Sequence, residues 1–168
     1  TDLLGNGQRV LVMAFQPKGK KPDGNEGQMA YFTPNKEDPT ALWNMHPISV
    51  PSEPGKAIPG TMRYAHGLGA GDINGDGKAD VLCTAGWWEQ PKDADGKTPW
   101  TFHAANLGDS VADMFAYDVD GDGVNDVLST NAHKFGIYFH KQNVKPKPGQ
   151  QPFEKVELFG RLVSETHA

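Results

Sequence analysis

Cysteine is almost missing from this chain, and that sets the first limit. Cys83 is the single cysteine among 168 residues, so no disulfide can form within the chain. Its place in the apolar run Val81-Leu82-Cys83-Thr84 reads as a buried structural thiol and not a nucleophile. No run of 18 apolar residues occurs, which removes a membrane-spanning helix and membrane insertion. No signal-peptide pattern is visible in these residues, and the first of them is Thr1 in place of Met, which reads as a piece of something longer. Helical periodicity is lacking apart from a short turn near residues 40–45. A basic surface is also lacking. The formal charge is −5, from 21 acidic and 16 basic residues, and nothing suggests a nucleic-acid partner. What the chain has in quantity is glycine (20) and proline (13), with 37% hydrophobic residues. That composition suits one domain of short strands and turns.

The acidity is concentrated. Asp118-Val119-Asp120-Gly121-Asp122-Gly123-Val124-Asn125-Asp126 carries carboxylates at positions 1, 3, 5 and 9 of a nine-residue loop. The loop recurs 46 residues earlier as Asp72-Ile73-Asn74-Gly75-Asp76-Gly77-Lys78-Ala79-Asp80, with Asn74 in place of one carboxylate. These two loops hold seven of the acidic residues. Without them 14 acidic residues face 16 basic ones, so the negative charge is local. So many like charges in one turn call for a cation. An oxygen-only donor set in a flexible, crowded loop suits Ca²⁺ better than the stricter octahedron of Mg²⁺. The spacing assigns Asp72, Asn74, Asp76 and Asp80, with the carbonyl of Lys78, to one Ca²⁺ site. Asp118, Asp120, Asp122 and Asp126, with the carbonyl of Val124, form the other. Gly77 and Gly123 at position six permit the turn. An EF-hand is excluded, because its position 12 is a bidentate Glu leading into a helix. Here position 12 is Cys83 or Ser129, inside short β-type runs. Residues 2–10 repeat the loop in degenerate form, with Leu4 at position three and Val10 at position nine, so no ion is expected there.

The pattern D-x-[DN]-x-D-G-x-x-D before a short apolar strand resembles the FG-GAP/VCBS repeat. Ala65-His66-Gly67-Leu68-Gly69-Ala70-Gly71 before one loop, and Gly86-Trp87-Trp88-Glu89-Gln90-Pro91 after it, look like VCBS-repeat proteins of bacterial secretomes. The resemblance covers residues 62–160 well and the first 60 weakly. It implies a β-propeller, as in the integrin α-subunit head, some fungal lectins and the propeller part of aldos-2-ulose dehydratase. Strands are expected over residues 10–15, 28–33, 44–50, 66–73, 80–85, 87–90, 100–107, 114–119, 126–131, 136–141 and 153–159. The segments 19–27, 51–60, 91–99 and the Pro/Lys-rich stretch after 141 read as loops. Four short strands per 46-residue unit match the arithmetic of propeller blades. The expected fold is thus all-β, with four-stranded antiparallel blades at about residues 1–60, 61–110 and 111–162 and another beginning at 163–168, as part of a larger propeller.

Gly67-x-Gly69-x-Gly71 has the glycines of a dinucleotide fingerprint but leads into a metal loop, not a helix, so close backbone packing explains it better. His66, His133 and His167 stand at strand ends, where they could line a channel and bind a metal or a sugar. Hydrogen-bonded structural histidines are the plainer reading. His46, His103 and His140 fall on outer strands, and no role is expected for them. Trp87, Trp88 and Glu89 could offer aromatic faces and a carboxylate to a sugar, although packing between blades competes with that reading. No catalytic set is legible by spacing. These features lead to a secreted, periplasmic or cell-surface calcium-binding module for a glycan or protein ligand. Its other partners would be the remaining blades or another copy of the chain. Two alternatives stand beside it: part of a metal-dependent carbohydrate lyase or isomerase resembling aldos-2-ulose dehydratase, and a structural subunit of an extracellular assembly.

Overall fold

The computed structural model describes residues 1–16, 26–62, 64–133 and 136–158. Most of the expected 19–27 loop, His167 and the fourth unit at 163–168 lie outside those residues. The described residues form strands and no helix: β1 (Leu11–Phe15), β2 (Gln28–Thr33), β3 (Asn44–Pro47), β4 (Leu68–Gly71), β5 (Asp80–Cys83), β6 (Gly86–Glu89), β7 (Thr101–Ala104), β8 (Val111–Tyr117), β9 (Asp126–Asn131), β10 (Ile137–Gln142) and β11 (Phe153–Glu157). The helical turn expected near 40–45 is replaced by a tight turn. The Asp38 carboxylate accepts from the backbone N–H and the hydroxyl of Thr40 at 2.9 and 2.6 Å, and such side-chain bonds compete with helix formation.

The strands make a three-stranded sheet, β1-β2-β3, and an eight-stranded sheet in the order β11-β10-β9-β8-β4-β5-β6-β7. The larger sheet is two four-stranded antiparallel meanders joined at β4 and β8. These two run parallel, with Leu68 opposite Asp113 and Gly69 opposite Met114. The architecture is all-β and consistent with consecutive propeller blades. The join depends on the small residues of β4. A Cβ on Gly71 would lie 2.5 Å from that of Ala116, and one on Gly69 would run into the carbonyl of Met114. The glycine-rich stretch therefore serves close approach between strands.

Several boundaries move for local reasons. The strand expected over 44–50 ends at Pro47, because the N–H groups of Ile48 and Ser49 both turn back to the carbonyl of Met29. The strand expected from 114 begins at Val111, through a register shift between Val111 and Met114. A bulge of this kind leaves residues unpaired and breaks the alternation, which hides the start of the strand in the sequence pattern.

The core is two apolar layers, one between each pair of successive units. Leu3, Val10, Met29, Tyr31 and Ile48 meet Val81, Cys83, Trp88 and Trp100. Ile73, Leu82 and Leu107 meet Val111, Met114, Val127 and Phe153. Full burial of one such side chain is worth roughly 1.5–3 kcal/mol. Burial also pushes the Cys83 thiol up to about 11, so it is held as an inert core group.

Candidate metal centre

Each loop is wired by its own carboxylates. In the second loop Asp118 accepts from the N–H groups of Gly121 (2.8 Å), Asp122 (3.1 Å) and Gly123 (3.0 Å), and Asp122 accepts from Val124 N–H at 3.0 Å. The first loop repeats this bond for bond. Asp72 accepts from Gly75, Asp76 and Gly77, and Asp76 accepts from Lys78. The degenerate loop keeps part of the scheme, with Asn6 and Gly7 donating to Asp2 and Gln8 donating to Asn6. Position one therefore folds the loop before it meets any ion. Positions four and six both lie at positive φ: Gly75 and Gly77 at 76° and 85°, Gly121 and Gly123 at 78° and 86°. The sequence reading had identified only position six.

The ninth-position carboxylates are the deepest. Asp80 and Asp126 are fully buried. Asp80 accepts from the N–H groups of Ile73 and Gln90, each at 2.9 Å. Asp126 accepts from Val119 at 3.1 Å and Gln142 at 2.8 Å. Each ties both ends of its loop to the next strand. Burial pushes the Asp80 carboxyl up to about 6, opposed by its backbone hydrogen bonds.

In the second loop, carboxylate oxygens of Asp118, Asp120 and Asp126 lie within 4.8 Å of one another. The corresponding trio in the first loop is Asp72, Asn74 and Asp80, one charge poorer. Carboxylates gathered this closely repel unless a cation lies among them. The chain already brings cations of its own. Lys141 on β10 donates to Asp120 and, at 3.0 Å, to Asp122. Lys78 reaches Asp76 at 3.0 Å. These hydrogen bonds hold the Asp122 and Asp76 carboxyls below the ordinary carboxylate range. An all-oxygen donor set that converges on a point and attracts an ammonium fits a hard divalent cation.

Two glutamines to which the sequence reading gave no role join the loops in a row. Gln90 Nε2 donates to the carbonyls of Leu3 (2.7 Å) and Ala79 (2.9 Å), linking the degenerate loop to the first. Gln142 Nε2 donates to Ile73 (2.9 Å) and Asn125 (2.6 Å), linking the first to the second. Asn125 Nδ2 adds a bond to the carbonyl of Asp72 at 2.6 Å.

The other candidates separate. Trp88 is 1% exposed and packs against Phe102. The reading of Trp88 as a sugar platform is corrected, since its ring has no free face. Trp88 sits opposite Val81 in β5, as His140 sits opposite Val127 in β9. Both occupy the same position in their four-stranded units and both are buried. His140, read from sequence as an outer residue without a role, bonds Ser129 Oγ at 2.9 Å, and burial pulls its pKa down to about 4. Trp87 is half-buried and stacks on His103, rings 4.2 Å apart and 14° from parallel. His103 Nε2 meets Glu89 Oε2 at 2.7 Å. His66 and His133, 67 residues apart in sequence, bring their Nε2 atoms to 3.2 Å.

A family model of the FG-GAP repeat matches residues 64–98. That segment holds β4, the first loop, β5 and β6, so the chain carries an FG-GAP repeat there. No curated protein and no solved structure matches the chain. No helix among the described residues is long and apolar enough to cross a membrane.

Replacing Gly77 or Gly123 with Val forces a β-branched residue into the left-handed region, a strain of about 1–2 kcal/mol. No neighbouring atom lies within 4 Å of the Cβ built at either glycine, so the effect is purely conformational. Each variant is expected to lose cation binding at its own loop and keep it at the other, read by calorimetric stoichiometry.

Proposed function

We propose that the chain is a calcium-stabilised blade segment of an extracellular binding module, its two loops each taking one Ca²⁺. The observation that carries this is the gathering of Asp118, Asp120 and Asp126 around one point, in a loop whose hydrogen-bond wiring recurs at Asp72. Asp118, Asp120, Asp122 and Asp126 would hold one ion; Asp72, Asn74, Asp76 and Asp80 would hold the other. Bound Ca²⁺ would supply the positive charge that lets these carboxylates share a loop. It would also fix the turns between β4 and β5 and between β8 and β9. FG-GAP repeats are typical of extracellular proteins, and the proposed setting is secreted, periplasmic or cell-surface. Affinity on the order of 10⁻⁴–10⁻³ M is expected, as for extracellular calcium modules.

A glycan or protein is the ligand class proposed, bound on the face away from the loops. The remaining blades, or another copy of the chain, are the proposed neighbours. Exposed apolar side chains on β1 and β8 support this: Leu11 is 50%, Phe115 58% and Tyr117 64% exposed, and flanking blades would cover them.

The test is calorimetry with CaCl₂ at millimolar concentration, beside thermal melting with and without chelator. Two equivalents and a rise in melting temperature are expected. Lys141→Met should bind Ca²⁺ several-fold more tightly at the second loop alone, since the ion no longer displaces the ammonium. No heat and an unchanged melt would exclude calcium binding.

A further inference from the structure

We propose that His66 and His133 form a site for a divalent transition-metal ion, with Zn²⁺ as the fitting probe. Their Nε2 atoms are 3.2 Å apart and the rings meet edge to face, 83° between planes. Two imidazole nitrogens on one tetrahedral Zn²⁺, at the usual Zn–N length, lie about 3.3 Å from each other. The pair therefore already has the bite such an ion needs. In the metal-free protein one ring donates its Nε2–H to the other. That proton passes through solvent to Nδ1 of the same ring when both Nε2 nitrogens turn their lone pairs to a metal.

The fold brings these residues together from distant sequence. His66 lies two residues before β4, and the chain between them bends at Gly67, at a φ of 78°. A Cβ on Gly67 would come within 2.9 Å of Thr84 Cγ2 and 3.1 Å of Met114 Sδ, so glycine alone lets His66 lie against this end of β8. His133 lies just beyond β9. Its N–H is tied to Asn131 Oδ1 at 2.9 Å, and Ala132 N–H to the carbonyl of Ser110 at 2.7 Å. Both histidines therefore belong to the end of the joined β4 and β8 strands opposite the carboxylate loops.

The chemistry is separate as well. Imidazole nitrogen suits Zn²⁺ and its neighbours in the transition series, whereas the loops offer only hard oxygen. Among the described residues no third His, Cys, Asp or Glu joins the pair, the one convergent trio being that of the second loop. Two protein ligands leave the remaining positions open to water or to a carboxylate or hydroxyl of a bound ligand. The site is thus open, of the kind that can hold a ligand through its metal.

The experiment uses the full chain in saturating CaCl₂, titrated with ZnCl₂ by calorimetry and by NMR of the histidine ring nitrogens. One equivalent is expected, with the ring signals of His66 and His133 shifting together. His66→Ala and His133→Ala should each weaken binding at least tenfold, and the double variant no further. His103→Ala should leave it unchanged. The proposal is overturned if Zn²⁺ gives no heat, if the response follows His103, or if the His66 and His133 signals stay in place. The wild-type NMR titration keeps the test independent of how well any variant folds.

Discussion

Asp126→Ala and Asp80→Ala are expected to lower stability by about 2–6 kcal/mol even in chelator, where no ion can be lost. The reason is the pair of backbone N–H groups that each carboxylate accepts while fully buried. Removing the side chain leaves two donors without a partner, buried at Asp80 and half-buried at Asp126, at about 1–3 kcal/mol each. Against a total of about 5–15 kcal/mol for a domain, that is a large share. A melting temperature lower by on the order of 10 °C is expected. Asp120→Ala supplies the contrast. It should abolish cation binding at the second loop yet leave the chelated protein nearly unchanged, since Asp120 is exposed and its side-chain partner is the half-buried Lys141. Equal destabilisation by Asp120→Ala and Asp126→Ala would show that position nine is a ligand and nothing more.

Asp80 adds a pH dependence. Its folded pKa of about 6 lies above the ordinary carboxylate value. The folded state therefore holds the proton more tightly than the unfolded state. The stability from this group is full below about pH 4 and is lost as pH rises through about 6. In chelator, Asp80→Ala should accordingly do more damage at pH 5 than at pH 7. Ca²⁺ affinity at the first loop should rise across the same window, because binding displaces that proton. Melting curves at the two pH values check both signs.

The parts of this site that were legible in sequence are those with fixed spacing. The carboxylates at positions 1, 3, 5 and 9 and the glycine at six recur at a constant interval, because the loop closes on itself through local bonds. Strands bounded by such loops, such as β9, were also placed correctly. The glutamine links were not legible. Gln90 follows its ninth-position Asp by 10 residues and Gln142 by 16, since the intervening hairpins differ in length. Equivalence there is set by sheet register and not by counting. The same register makes Trp88 and His140 occupants of one buried position, though one is aromatic and apolar and the other titratable. Composition suggested opposite fates for them. The meeting of His66 with His133 depends on the parallel join of β4 and β8, a contact between units that no local pattern encodes.

Gln142→Ala is expected to loosen the third unit from the second. The Gln142 amide donates two hydrogen bonds, one to its own loop at Asn125 and one across to Ile73 of the loop before. Loss of both, with the carbonyls left partly buried, should lower stability by about 2–4 kcal/mol. The location matters more than the sum. Stacked repeats owe their cooperativity to the terms between neighbours, and here those terms include the β4–β8 pairing, an apolar layer, this bridging amide and the Asn125 bond to Asp72. Weakening them should let the third unit open before the rest, so the urea transition broadens and its slope falls. The same link couples the cation loops, because the carbonyls it holds belong to positions one and two of the first loop and position eight of the second. In the wild type, Ca²⁺ at one loop should therefore strengthen binding at the other, and Asn125→Ala with Gln142→Ala should make the two sites independent. Calorimetric titrations fitted for two sites provide the measurement. Unchanged coupling in the double variant, with an unbroadened urea transition, would show that the β4–β8 pairing and the apolar layer join the units without the amide links.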